Sequence, residues 1–214
     1  MKISYGITVH NEAEELNRLL EILVHKTDAE DEIVIVDDFS NQETQDVIFS
    51  WIQQYGHREG PYKSIRVFQR KLNGDFASQK NYVIEQCIGD YIFHLDADEY
   101  PHEVLLRDIK KVLEINDVDL IWVPRVNTVD GLTEKHIQQW GWKVTEQGWV
   151  NYPDFQSRVF KNNKDIRWVR PVHEQIQGAK TYAHLPPHEE LSLYHPKTIQ
   201  KQEQQNQLYS EIIT

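Results

Sequence analysis

Three polar clusters in this chain each follow a short apolar run: Thr8-Val9-His10-Asn11-Glu12, Asp37-Asp38-Phe39-Ser40 and Asp96-Ala97-Asp98-Glu99. Carboxylates spaced like Asp96 and Asp98 offer oxygen ligands to a hard cation such as Mg²⁺ or Mn²⁺, which commonly bridges protein carboxylates to substrate phosphates. The same spacing recurs at Asp117 and Asp119, so the pattern needs structural context. Position separates the two pairs, because Asp117 and Asp119 precede an apolar run whereas Asp96 and Asp98 follow one. Asp37 and Asp38 precede a helix, where an aspartate can simply cap and complement the dipole. An acidic residue after a strand can equally accept hydrogen bonds from a nucleoside.

The elements that must position these clusters are legible in the first half. Ile3–Val9 is short and rich in β-branched residues, and Glu12–His25 carries Leu16, Leu19, Leu20 and Leu23 at helical spacing. Ile33–Val36 is a continuous apolar run, as expected of a strand covered on both faces. Ser40 and Glu43 match a capping box that opens a helix bearing Val47, Ile48, Trp51 and Ile52. Strands at Ile65–Phe68 and Tyr91–Leu95 flank a helix at Phe76–Cys87. This alternation predicts a largely parallel sheet, and ligands of such sheets bind beyond the carboxyl ends of the strands. All three clusters, with Asn73-Gly74, should therefore face one crevice.

After Asp98 the pattern changes. Pro101 suits a helix start, with the helix running to about Ile115, and Leu120–Val123 reads as a strand. Residues 125–178 read as aromatic-rich strands and turns, and the tail from Lys197 to Ile213 as a Gln-rich helix with Ile199, Leu208, Tyr209 and Ile212 as its apolar positions. Among ten histidines, His173, beside Glu174, and His195 stand out because each follows or ends a strand-like stretch. His184 and His188 have i, i+4 spacing, but Pro186-Pro187 excludes a helical zinc site there. Trp140, Trp142 and Trp149 suit either packing or stacking on a sugar face. Arg167, Arg170 and Lys143 read as solvated surface charges.

With 214 residues, 39% of them hydrophobic and 27% charged, the chain is expected to form a single globular domain. A net charge of −11 disfavours stable binding to nucleic acid or anionic membranes. A nucleoside diphosphate would need a cation or local Lys/Arg to offset that charge. Cys87 is the single cysteine, so no internal disulfide is possible. The opening MKISYGITVH lacks the apolar stretch of a signal peptide, and no run reaches transmembrane length. A cytoplasmic location is the expectation.

The ordered set Ile7–Glu12, Ile33–Ser40 (IVIVDDFS), Asn73–Asn81 (NGDFASQKN) and Gly89–Glu99 (GDYIFHLDADE) resembles glycosyltransferase family 2, with its GT-A fold. Gln156–Lys161 (QSRVFK), Val172-His173-Glu174 and Tyr194-His195 look like the acceptor-half signature of its soluble, lipopolysaccharide-core-like branch. The resemblance covers nearly the whole chain. It implies an α/β GT-A domain with a donor half at 1–99, an acceptor half with mixed β-structure at 100–196 and a C-terminal helix at 197–214.

Carried over by position, the resemblance implies that Thr8 and Asp38 contact the nucleoside, with Glu12 nearby. Asp96 and Asp98 would bind donor ribose and metal, Asp98 directly. His195 would complete the metal shell, with His173 as the alternative. Glu174 falls at the catalytic acidic position, with Asp154 as its competitor, and Lys80 and then Arg158 are candidates for the donor phosphates. The usual opening has proline where Thr8 stands here, and the Gly-rich stretch that often precedes the base is absent.

The implied activity is metal-dependent, inverting transfer of a hexose from a UDP-sugar, with UDP-glucose as the first donor to try. The acceptor would be a glycan, lipid core or protein, and the tail helix could support a homo-oligomer. A nucleotidyltransferase would usually carry a Gly-rich basic loop after the first strand, where this chain has His10-Asn11-Glu12-Ala13. A non-catalytic carbohydrate-binding module would explain the aromatics but not Asp96, Asp98, Glu174 and His195 together.

Overall fold

The computed structural model describes residues 1–56 and 64–213, with side chains to residue 208. In chain order the first elements are β1 (Ile3–Val9), α1 (Ala13–Lys26), β2 (Glu32–Asp37), α2 (Gln42–Tyr55), β3 (Ser64–Gln69), α3 (Phe76–Gln86) and β4 (Tyr91–Asp96). Then come β5 (Tyr100–Pro101), α4 (Glu103–Asn116), β6 (Leu120–Val123), β7 (Arg125–Asp130), α5 (Glu134–Trp140) and β8 (Gln156–Lys161). Short strands β9 (Arg167–Val169), β10 (Gln175–Gln177) and β11 (Tyr182–His184), a 3₁₀ turn at Glu189–Leu191, β12 (Leu193–Thr198) and α6 (Ile199–Ile213) follow. The predicted apolar positions Tyr209 and Ile212 of α6 lie outside the described side chains.

The central sheet has seven strands in the order β11-β6-β8-β4-β1-β2-β3. Strands β4, β1, β2 and β3 are mutually parallel, while β8 runs antiparallel between β4 and β6. Why β2 is apolar throughout follows from the two-residue period of a strand. Ile33 and Ile35 pack with Leu16, Leu19, Leu20 and Leu23 of α1, whereas Val34 and Val36 pack with Ala77, Val83 and Ile84 of α3. The sheet is thus a true middle layer. A separate three-stranded sheet, β5-β12-β7, brings His195 on β12 level with Asn127 on β7.

Three local expectations are corrected. The cap of α2 is Asn41, whose side chain accepts the Thr44 N–H, while Ser40 Oγ accepts the Asn11 N–H instead. Pro101 does not open α4: it pairs with Leu193 in β5, and the His102 ring caps the helix at the Val104 N–H. Lys197 and Thr198 extend β12, so the tail helix starts at Ile199. Among the described residues no helix is long and apolar enough to cross a membrane.

The odd strand β8 should carry much of the stability. Its Phe160 is fully buried opposite Ile92 of β4 and Leu120 of β6, with its ring edge-on to Trp168. Phe160→Ala is expected to cost about 3–5 kcal/mol, read as a lowered urea midpoint at unchanged m-value.

Candidate functional site

The register of β1 places Thr8 level with Val36 on β2 and with Asp96 on β4, so the three polar clusters emerge at one carboxyl edge. They line a single cavity of about 650 Å³, together with Lys80, Arg158, His173, Glu174, His195 and Lys197. Members of all three clusters thus meet in one cavity, whereas Asn73 and Gly74 are not among its lining residues. Its bonding differs from expectation in several respects.

Asp37 and Asp38 divide their work. Asp37 is buried and takes hydrogen bonds from the Ser40 N–H and from the Gln45 and Gln69 amides, so it organises the β2–α2 turn. Asp38 lines the cavity, accepts the Leu72 N–H and stands 3.5 Å from His10 Nδ1. The polar tip of β1 is joined to this turn by Asn11, which adopts a left-handed φ of 57° and accepts the Asn41 N–H at 2.6 Å.

Asp96 is not a free ligand. One oxygen accepts the Thr8 hydroxyl at 3.0 Å and lies 3.5 Å from Lys80 Nζ; the other takes Arg158 Nη2 at 2.7 Å. Burial alone would raise its pKa, but Arg158 and Lys80 hold it well below the usual carboxylate range. The same Arg158 nitrogen reaches Glu99 at 2.6 Å, and Arg125 bridges Glu99 to Asp154. The Asp154 oxygens accept from Arg125, Asn127 and Gln156. Asp154 thus holds Arg125 in place and is not among the residues lining the cavity. Arg158 likewise bonds Asp96 and Glu99, so each Asp96 oxygen already meets a cation.

Asp98 points elsewhere. His195 Nε2 lies 3.3 Å from Asp98 Oδ2, and Lys197 Nζ lies 3.7 Å from the same oxygen. His195 Nδ1 meets Asn127 Oδ1 at 2.7 Å, and an amide oxygen only accepts, so Nδ1 carries the proton. Burial, only partly opposed by Asp98, lowers the His195 pKa and favours the neutral ring. Asp98 Oδ2 therefore faces His195 Nε2 and, slightly farther away, the Lys197 ammonium. Nearby, burial and then Asp98 push the Glu12 carboxyl up to about 8, against the opposing pull of Lys201. Among the described residues no group of three or more His, Cys, Asp or Glu closes around a metal. The donor set thus fits a divalent cation that takes two protein ligands and completes its shell from diphosphate and water.

Lys80 forms the opposite wall. It bonds Glu174 at 2.6 Å, with its Nζ 4.8 Å from the centroid of the Trp168 ring. Asn81 fixes that wall, because its amide brackets the Trp168 backbone with two hydrogen bonds and ties α3 to β9. His173, beside Glu174, lines the cavity with a left-handed φ of 54°.

Sequence reasoning missed Arg125, Trp168, Lys197 and the α6 residues Gln205 and Leu208 that also line the cavity. The two-residue step from His195 to Lys197 along one strand face was the available signal. The tryptophans considered for stacking pack on one another instead: Trp140 lies against Trp142, and Trp149 against Tyr152. None of Trp140, Trp142 and Trp149 lines this cavity.

The family model described as Glycosyl transferase family 2 matches residues 4–184. The SPbeta prophage-derived glycosyltransferase SunS of Bacillus subtilis (strain 168) is 23% identical over 199 residues, covering 90% of this chain and 39% of that protein. Poly(ribitol-phosphate) beta-N-acetylglucosaminyltransferase TarP of Staphylococcus aureus (strain N315) is 29% identical over 126 residues, 56% of this chain and 35% of TarP. The chain thus spans under two fifths of the length of these relatives. The crystal structure of S. aureus TarS 1-349 in complex with UDP-GlcNAc superimposes with a TM-score of 0.63 at 17% identity, covering 92% of this chain and 59% of that one. The mannosyltransferase PcManGT from Pyrobaculum calidifontis, in complex with GDP-Man and Mn²⁺, gives 0.50 at 17% identity, over 74% and 44%. The fold is the GT-A type.

Behind the site, His94 is fully buried 3.8 Å from Asp96, with both ring nitrogens unpartnered. Burial drops its pKa from 6.5 to about 4. Between those values the unfolded chain binds a proton that the native state refuses, so His94 lowers stability progressively as pH falls through that window. The expected outcome is that His94→Leu flattens the loss of stability between pH 6.5 and 4, measured by urea unfolding at stepped pH.

Proposed function

Because this chain belongs to glycosyl transferase family 2, we propose that it moves a sugar from a nucleoside diphosphate onto an acceptor hydroxyl, with inversion at the anomeric carbon. The observation that carries this reading is the Asp98–His195 pair, set in the same cavity as Lys80 and Glu174. Residues 1–99 hold the donor and residues 100–196 the acceptor, as one working unit. Thr8 and Asp38 meet the nucleoside, and Asp96, pinned by Arg158, lies where the ribose passes. UDP is the first nucleotide to test, because TarS has been captured with UDP-GlcNAc and with UDP. UDP-GlcNAc therefore joins UDP-glucose as a trial donor.

Asp98 and His195 would hold Mn²⁺ or Mg²⁺, which supplies Lewis-acid neutralisation of the leaving diphosphate. Lys80 is spoken for by Glu174 and Asp96 in this state. A diphosphate entering the cavity competes for its ammonium and frees Glu174. Glu174 then takes the proton of the acceptor hydroxyl as that oxygen bonds the anomeric carbon, and the bond to the diphosphate breaks with its electron pair leaving on the phosphate oxygen. His173 shapes the loop that aims Glu174.

Glu174→Gln is expected to cut transfer by about 10²–10⁴-fold while UDP affinity stays near that of the parent, and near-normal transfer would overturn the base assignment. For Asp98→Ala, calorimetry with and without Mn²⁺ should show the metal-dependent part of UDP binding lost and the metal-independent part retained.

A further inference from the structure

The donor half fills one end of the cavity edge. Thr8 and Asp38 stand at the tips of β1 and β2, and Asp96 at the tip of β4. In the sheet order β11-β6-β8-β4-β1-β2-β3, an acceptor reaching the same point must come from the β8-β6-β11 side. That approach is paved with rings. Trp122 near the end of β6 lines the cavity, as does Gln156 at the start of β8. His184, paired in register with Trp122 across parallel strands β11 and β6, lies nearly parallel to the indole, with 5.7 Å between centroids and 9° between planes. Such a pair is displaced rather than superposed, so part of each ring face stays uncovered. Phe155 meets His184 edge-on at 5.0 Å, and Tyr182 does so at 5.9 Å.

Trp122 packs partly against the core, but core packing does not account for Tyr182, which is 65% exposed, or for His184, which is exposed as well. Because β8 is antiparallel while β6 and β11 run parallel to β4, Trp122, His184 and Gln156 all belong to the carboxyl edge that carries Asp96. We propose that Trp122, His184, Tyr182 and Phe155 form a platform for a pyranose ring of the acceptor, so that the acceptor is a glycan. The proposal rests on the sugar-transfer reading above and names the substrate class of that site. The chemistry is the match between flat rings and the C–H face of a sugar, with the Gln156 amide oxygen and the His184 ring nitrogens facing the hydroxyls. A chain-like acceptor would lie across β11 and deliver its terminal hydroxyl past Trp122 toward Glu174.

The test uses an array of immobilised hexose and N-acetylhexosamine oligosaccharides, probed with the parent chain and with a Tyr182→Ala/His184→Ala double variant. Both positions are exposed, and UDP binding by calorimetry reports that the variant is folded. The parent is expected to retain one class of glycan, and the variant to bind it about tenfold more weakly at unchanged UDP affinity. Retention of no array glycan, or retention equal in both proteins, overturns the platform. UDP-sugar hydrolysis, measured alongside, separates the two failures. Hydrolysis without glycan retention removes the platform and leaves the transferase reading standing. Glycan retention lost in the variant, with no turnover of any UDP-sugar, supports the platform and removes the transferase reading.

Discussion

The site depends on charge compensation in a region from which water is largely excluded. Arg158 and Arg125 interlock with Asp96, Glu99 and Asp154 through contacts of 2.6–2.9 Å. Each acidic group there would be costly if unpaired, and removing one partner from such a network leaves a buried uncompensated charge. The network fixes the end of β4 as a rigid post. With Asp96 held on one side, the chain turns and sends Asp98 to the other, where His195 waits on a different sheet. One carboxylate is thereby held by arginine and its near neighbour set against histidine.

The donor half was readable because its strands and helices announce themselves by period. The apolar run at Ile33–Val36 demanded two cover layers, and both exist. Tip positions of the polar clusters followed from the sheet rule. Partners did not follow, because a carboxylate in the sequence carries no mark of the cation that will meet it. The Arg158 partner of Asp96 lies 62 residues further along, and the Arg125 partner of Asp154 lies 29 residues back. Small errors had local causes: Ser40 and Asn41 are both good caps, and only the demand of Asn11 for a hydroxyl partner decides between them. Pro101 serves a strand edge because β12 supplies a partner that local sequence cannot show.

The second half was obscure for a different reason. Strands β9, β10 and β11 have three residues each, too few to establish an alternation. Their positions come from long-range contacts such as the Asn81 amide on the Trp168 backbone. At 17% identity to TarS the same fold persists, which places its determinants in burial pattern and strand order more than in particular side chains. The cavity wall contributed by α6, through Gln205 and Leu208, was similarly invisible to periodicity.

The antiparallel insertion of β8 between β4 and β6 also sets a timetable. A chain emerging from the ribosome can assemble β1 to β4 before β8 is made, since all four precede it in sequence. The far edge of β4 then stays open, a row of unsatisfied backbone groups, until residues 156–161 arrive to close it. Arg158 rides on that late strand, so Asp96 has no arginine against it until then. Mechanical closure of the sheet and neutralisation of its charged tip are one event, and nascent chains are at their most adhesive just before it.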